Sequence, residues 1–185
     1  MPGLLHEQLA SSIVEVILQQ LYSIANGAGP AAHFAQKIKL TGSPTITFDD
    51  PQFGRHEPDA SFKHADSKYP GVVIEVSYSQ KRRDLPRLAD DYILGSDAII
   101  RAVVGVDIDY RGKTASVSIW RPRIEVNATG EEELVAHRTL SDQVFSVILD
   151  LLQHVLITPR NSVVQMAIRL MTRNSVCSFA SKTLH

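Results

Sequence analysis

Apolar residues recur every three or four positions near the start of the chain, a spacing that predicts an amphipathic helix from Leu4 to Ala25. The sequence Asn26-Gly27-Ala28-Gly29-Pro30 should end this helix, because glycine accepts the left-handed closing conformation and proline cannot continue the helix. After this turn, apolar residues recur at every second position. Between Phe34 and Leu40, apolar residues alternate with small or basic ones, which predicts a strand with one solvent-facing side.

Two continuous apolar runs, Val72–Val76 and Ala98–Val106, lack this alternation, which favours strands buried on both faces. Between them, the spacing predicts a helix from Asp84 to Gly95. A strand, a helix and a further buried strand imply a crossover connection within one sheet. Extended structure is also predicted for His56–Phe62 and for the alternating run Thr114–Trp120. The expected fold is α/β, with a central mixed sheet flanked by helices.

The C-terminal part of the chain has a different pattern. No Asp or Glu follows Asp150, and apolar residues occur at helical spacing over residues 140–156 and 162–171. We therefore expect an α/β domain at residues 1–130 and a helical C-terminal extension at residues 131–185. Such an extension could cover the sheet, form a homodimer interface or fold imperfectly, and the sequence does not choose among these.

Composition narrows the classes of partner and compartment. The chain has 185 residues, 44% of them hydrophobic, and a formal net charge of −1, so a nucleic-acid partner would need a local basic patch. The single cysteine, Cys177, excludes an intramolecular disulfide and fits a reducing compartment. No secretory signal or membrane-spanning apolar stretch is recognisable. We expect an intracellular protein, cytoplasmic or nuclear, with no membrane partner.

Two carboxylates in predicted strands suggest metal chemistry. Asp59 follows Pro58, and Glu75 lies inside the second apolar run, where a carboxylate is costly to bury unless something binds it. If the strands are neighbours, both carboxylates can bind one Mg²⁺ or Mn²⁺, with the carbonyl of Val76 as a further ligand. Such an ion can lower the pKa of bound water and stabilise charge on a phosphate. The alternative is that Asp59 caps a turn and Glu75 pairs with an arginine.

Pro58-Asp59 followed by Glu75-Val76-Ser77 resembles the signature of the PD-(D/E)XK nuclease superfamily. The order of predicted elements over roughly residues 4–121 is similar to its α-β-β-β-α-β core, and the chain is most similar to the restriction-endonuclease domain family. Further shared features are an early histidine, a tyrosine and a glycine ending a helix, and an aspartate ending a strand: His6, Tyr92, Gly95 and Asp107. The resemblance implies a restriction-endonuclease-like sheet and magnesium-dependent hydrolysis of phosphodiester bonds in DNA or RNA.

The chain departs from the superfamily at one position. The usual lysine, two residues after the glutamate, is Ser77 here. In related members the positive group can lie in the next loop or helix, so the resemblance implies Lys81 or Arg87 beside the phosphate and Gln80 as a residue that orients water. The predicted catalytic residues are Asp59, Glu75, Gln80, Lys81 and Arg87.

One dense basic patch follows the predicted metal-binding strand, and we expect it to contact nucleic-acid phosphates. Its members are Lys81, Arg82, Arg83 and Arg87. The alternative is a solvated loop, with Arg87 in a surface ion pair with Asp91 one helical turn later.

Two histidines, His56 and His64, flank Asp59 and suggest a metal or general-base role, although a polar strand-end role is the simpler interpretation. Because Ser77 replaces the lysine, a second function stays open, that of a catalytically inactive binding module with the nuclease fold. A third is a self-associating interaction protein that uses the C-terminal extension.

Overall fold

The computed structural model describes residues 2–78, 84–109 and 114–146. Within these ranges the chain forms an α/β fold with a mixed six-stranded sheet, as the sequence predicts. In chain order, with a 3₁₀ turn at Pro51–Phe53, the elements are α1 (Pro2–Ala25), α2 (Pro30–Gln36), β1 (Ile38–Leu40), β2 (Ile46–Thr47), β3 (Arg55–His56), β4 (Ala60–His64), β5 (Val72–Tyr78), α3 (Leu85–Gly95), β6 (Ala102–Asp109), β7 (Thr114–Val126) and β8 (Glu132–Ser146).

The main sheet has the strand order β1-β4-β5-β6-β7-β8, and β2 pairs with β3 in a separate two-stranded sheet. Strands β5 and β6 are parallel, with Val72 opposite Ala102 and Tyr78 opposite Ile108. Every other pair of neighbours in the main sheet is antiparallel. Helix α3 connects the two parallel strands, so the predicted crossover is confirmed. Both apolar runs lack alternation because β5 and β6 contribute residues to an apolar core on each face of the sheet.

A hydrophobic core lies on each face of the sheet. On one face, α1 packs Leu9, Ile13 and Ile17 against the sheet, as the helical spacing predicts. Successive side chains of a strand point to opposite faces, so Val72, Ile74 and Val76 join this core. Their neighbour Val73 joins the other core, which contains α3. The same alternation directs Glu75 toward α3.

Helix α2 replaces the first half of the strand that we predicted from Phe34 to Leu40. Pro30 occupies the start of α2, where its missing N–H leaves no helical hydrogen bond unmade. Ala32 and Ala35 are three residues apart and both buried, which is a helical spacing rather than a strand spacing. The prediction is correct only from Ile38 onward.

The predicted helical C-terminal extension is wrong for residues 132–146, which form β8. This strand pairs with β7 in antiparallel register, from Val126 opposite Glu132 to Thr114 opposite Ser146. The boundary predicted at residue 130 falls in the turn between these paired strands and does not separate two domains there. Local apolar spacing could not anticipate this, because the partner strand provides the backbone hydrogen bonds. Residues 147–185 lie outside the described ranges.

Candidate metal centre

Strands β4 and β5 bring the two predicted metal-binding carboxylates to one cavity. The strands are antiparallel neighbours with Ala60 opposite Ile74, and the N–H of Asp59 donates to the Ile74 carbonyl at 3.1 Å. Asp59 therefore lies beside Glu75 at the same level of the sheet. Both residues line an open cavity of about 490 Å³ between the sheet and the N-terminal end of α3.

Asp59 is held by the backbone of the neighbouring strand. Its Oδ2 accepts a hydrogen bond of 2.6 Å from the N–H of Val76, so this oxygen is already engaged. Its Oδ1 lies 3.3 Å from Nε2 of His6. Asp59 is thus oriented across the β4–β5 pair rather than capping a turn of its own segment. Val76, whose carbonyl is the third predicted ligand, follows Glu75 directly in β5 and also lines the cavity.

Glu75 is embedded in the α3 face and accepts a hydrogen bond of 2.6 Å from the hydroxyl of Tyr92. Burial raises the pKa of Glu75 to about 7; the Tyr92 hydrogen bond lowers it, and the charge of Asp59 raises it further. Burial also raises the pKa of Tyr92, which keeps its proton for donation. In the described part of the chain, no lysine or arginine pairs with Glu75, unlike the alternative considered from the sequence.

His6, from the beginning of α1, contacts both of the other predicted ligands. Its Nε2 lies 3.1 Å from the Val76 carbonyl oxygen and 3.3 Å from Asp59 Oδ1. A carbonyl oxygen can only accept, so Nε2 carries the hydrogen and donates it between these two oxygens. The sequence identified His6 only as the start of a helix and as a point of family resemblance. Its approach to β5 depends on the packing of α1 and has no local signal.

A second histidine stabilises the wall of the cavity formed by α3. His56 Nε2 lies 2.8 Å from the Phe53 carbonyl and 3.2 Å from Asp91 Oδ2. The His56 ring also packs against Tyr92, with a centroid distance of 5.2 Å. His56 therefore supports the residue that holds Glu75. His64, by contrast, stacks on Phe34 at 4.6 Å and does not line this cavity.

Ser77 and Gly105 shape the cavity beyond the carboxylates. Ser77 is buried and its hydroxyl donates to Asp107 Oδ1 at 3.3 Å, across the parallel pair β5–β6. Ser77 thus brings a neutral hydroxyl, and no positive charge, to this position of β5. Gly105 is directly opposite Glu75. A side chain there would come within 2.8 Å of the Trp120 ring and 3.1 Å of Leu85, so glycine allows α3 to approach the sheet.

The predicted cationic residues are only partly described. Arg87 lines the cavity, and among the described lining residues it is the single lysine or arginine. Its side chain is 81% exposed, and its Nε lies 3.8 Å from Asp91 Oδ2, which matches the weak surface ion pair considered from the sequence. The other three predicted cations, Lys81, Arg82 and Arg83, lie outside the described ranges, as does Gln80.

The donor atoms suit a hard cation that uses few protein ligands. Within residues 2–78, 84–109 and 114–146, no group of three or more His, Cys, Asp or Glu side chains is arranged to hold a metal. Two carboxylates and one carbonyl instead offer three oxygen donors. Magnesium commonly uses one or two carboxylates and retains several water ligands, whereas structural zinc needs four protein ligands. These oxygen donors are of the kind that Mg²⁺ or Mn²⁺ uses.

Comparison with known proteins gives no relative: no protein-family model matches this chain, and no curated protein or solved structure matches it significantly.

In the described ranges, no helix combines the length and the apolar character needed to cross a membrane.

Proposed function

We propose that this protein is a metal-dependent nuclease of the PD-(D/E)XK type, which hydrolyses phosphodiester bonds in DNA or RNA. The observation that carries the proposal is that Asp59, just before β4, lines the same cavity as Glu75 and Val76 of the neighbouring strand β5, although it is sixteen or more positions away in sequence. The restriction-endonuclease-like order of elements supports it, because the carboxylate strands precede a helix and a parallel strand.

In this proposal Asp59, Glu75 and the Val76 carbonyl hold Mg²⁺ or Mn²⁺. When bound, such an ion stabilises negative charge that develops on phosphate oxygens. Asp59 is kept in place by the N–H of Val76, and Tyr92 orients Glu75. A nearby cation favours the ionised form of Glu75, so metal binding should lower its raised pKa.

The positive group that acts on the phosphate has to come from outside β5, because Ser77 is neutral. Arg87 has the exposure and position at the cavity to contact a phosphate. Lys81 is the other candidate for this role and Gln80 the candidate for orienting the attacking water. Arg82 and Arg83 would extend the phosphate contacts.

A pair of lysines supports a nucleic-acid partner and was not identified from the sequence. Lys39 in β1 and Lys63 in β4 are directly opposite each other. They alternate with Ile38 and Phe62, which face the α1 core, so both lysines project on the sheet face that carries Asp59. Neither forms an ion pair within the described residues. Like charges in this position repel, and a bound phosphate would relieve the repulsion.

The direct test is cleavage of DNA and RNA with Mg²⁺ or Mn²⁺. We expect Asp59→Asn and Glu75→Gln each to reduce the cleavage rate by about a hundredfold or more, since each removes a charged metal ligand. Asp66→Asn is the matched control, because Asp66 is an exposed carboxylate paired with Lys37 away from the cavity. Cleavage that persists unchanged in both cavity variants would refute the proposal.

A second candidate function is a binding module with the nuclease fold and no turnover. It is favoured by the neutral Ser77 and by the lack of any lysine among the described residues of the cavity. Nucleic-acid binding that survives Asp59→Asn and Glu75→Gln, without cleavage in any protein, would support this candidate. The homodimer proposed for the C-terminal extension is tested by removing residues 147–185, which leaves β8 intact, and measuring mass in solution.

A further inference from the structure

We propose that His6 occupies the cation position of this site, so that a metal ion binds only when His6 leaves. The inference deepens the proposed function and rests on it. It concerns a residue of α1, whereas the metal-binding residues of the proposal belong to β5 and the segment before β4. The imidazole N–H would act as an internal substitute for the cation.

The first argument is the identity of the atoms that His6 contacts. Asp59 has one oxygen, Oδ2, bound to the N–H of Val76 at 2.6 Å. Its other oxygen, Oδ1, accepts no backbone hydrogen bond among those described and is the one less occupied for a metal. His6 Nε2 lies 3.3 Å from this oxygen and 3.1 Å from the Val76 carbonyl oxygen. The proposed ligands are Asp59, Glu75 and the Val76 carbonyl. His6 thus contacts an oxygen of two of these three ligands, and Glu75 is the exception.

The second argument is steric and electrostatic exclusion. A magnesium ion needs its oxygen ligands at about 2.0–2.1 Å. An ion at that distance from both oxygens would lie in the space to which the Nε2–H of His6 points. The hydrogen carries partial positive charge and Nε2 has no lone pair available while it is protonated, so His6 in this orientation cannot be a ligand. Metal and His6 N–H therefore compete for the same oxygens.

The third argument is that His6 can move without loss of the helix. Its side chain is 16% exposed and lies in the first turns of α1. Among the α1 side chains whose burial is described, from His6 onward, those in the core are farther along the helix, at Leu9, Ile13 and Ile17. Helix ends have fewer stabilising contacts than their centres, so release of His6 needs only a side-chain or first-turn rearrangement.

His56 provides a matched control within the same cavity. It is similarly buried, with 15% exposure, and its Nε2 also lies between a carbonyl oxygen and a carboxylate oxygen. These oxygens belong to Phe53 and Asp91, which are not proposed ligands. Removal of either histidine deletes an imidazole from the cavity wall, but only removal of His6 frees oxygens of the metal site.

The test is calorimetric titration of the full chain with Mn²⁺ at one fixed pH. We expect His6→Ala to bind Mn²⁺ about tenfold more tightly than the natural protein, the change expected for loss of one competing hydrogen bond to a charged group. His56→Ala should not tighten binding. An affinity of His6→Ala that is unchanged or weaker would overturn the inference, and the weaker result would indicate that His6 assists metal binding.

The same titration separates this inference from the proposed function. In one outcome, Mn²⁺ binds the natural protein and His6→Ala equally, and Asp59→Asn and Glu75→Gln abolish binding. The metal site of the proposed function is then supported, and the competition by His6 is wrong. If neither the natural protein nor His6→Ala binds Mn²⁺, both are wrong.

A measurement on the natural sequence covers the case in which His6→Ala does not fold. In protein labelled with ¹⁵N at histidine, saturating Mg²⁺ should shift the His6 Nε2 resonance toward that of a side chain without its hydrogen bonds, and leave His56 unshifted. Magnesium that binds by calorimetry while the His6 resonance keeps its position would overturn the inference.

Discussion

The two faces of strand β5 differ in chemical character: one is apolar and buried in a core, and the other carries polar side chains. On the α1 face, the side chains of Val72, Ile74 and Val76 belong to a continuous apolar core. On the α3 face, Val73 is apolar, but Glu75 and Ser77 follow it and open onto the cavity. One short stretch of sequence therefore builds a closed core on one side and a polar site on the other, because its side chains alternate. Changes on the first face should act on stability, and changes on the second on pH response and ligand binding.

The largest effect is expected from the closed face. Phe62→Ala would leave a cavity in the α1 core, where this side chain is 1% exposed, and should lower the free energy of unfolding by about 3–5 kcal/mol. Urea denaturation followed by circular dichroism measures this change. Leu40→Ala on the same sheet face, where Leu40 is 41% exposed, serves as the control and should cost much less. Equal losses in the two variants would contradict the distinction between core and surface on this face.

The polar face should make stability depend on pH through Glu75. Its pKa is about 7 in the folded protein against an ordinary value of 4.5, so the folded state binds more protons between these two values. The free energy of unfolding should therefore fall as pH rises from 4.5 through 7, by on the order of 2–3 kcal/mol from this group. Glu75→Gln has no such proton and should flatten the dependence in this range. Urea denaturation at a series of pH values is the measurement, and an equally steep profile in Glu75→Gln would count against this origin.

The smallest effect is expected at the sheet edge, where the polar face extends to Lys39 and Lys63. Under the proposed function, replacing both with glutamine should weaken DNA or RNA binding severalfold and reduce the dependence of affinity on salt, because each lysine would contact a phosphate. Lys37 and Lys68 are the matched controls, since each already pairs with an exposed carboxylate. Affinity that falls equally in the control variant would indicate a general charge effect.

Helical and buried-strand patterns were the most informative parts of the sequence. The first helix, α3 and the paired central strands follow from apolar spacing and from capping or terminating residues, which act over a few positions. The start of β6 is later than predicted, at Ala102. The preceding Asp97 and Ala98 have positive φ values of 50° and 60°, a turn that apolar character alone does not reveal.

The tail and the surroundings of the carboxylates could not be predicted in the same way. Residues 140–146 belong to a stretch with apolar positions at helical spacing, but pairing with β7 makes them part of a strand. The contacts of His6 with Asp59 and Val76 join residues more than fifty positions apart. Neither feature has a local pattern that could indicate it.

The amino-acid pattern alone was sufficient to place Glu75 on a buried strand of an α/β sheet and Asp59 beside another strand, because alternation, apolar runs and turn residues act locally. The tertiary structure supplied the rest: one shared cavity, a backbone N–H that holds Asp59, a tyrosine that holds Glu75, and a histidine on the remaining oxygens. These depend on how helices dock on the two faces of the sheet. Docking is set by the summed packing of distant side chains, which no short stretch of sequence contains.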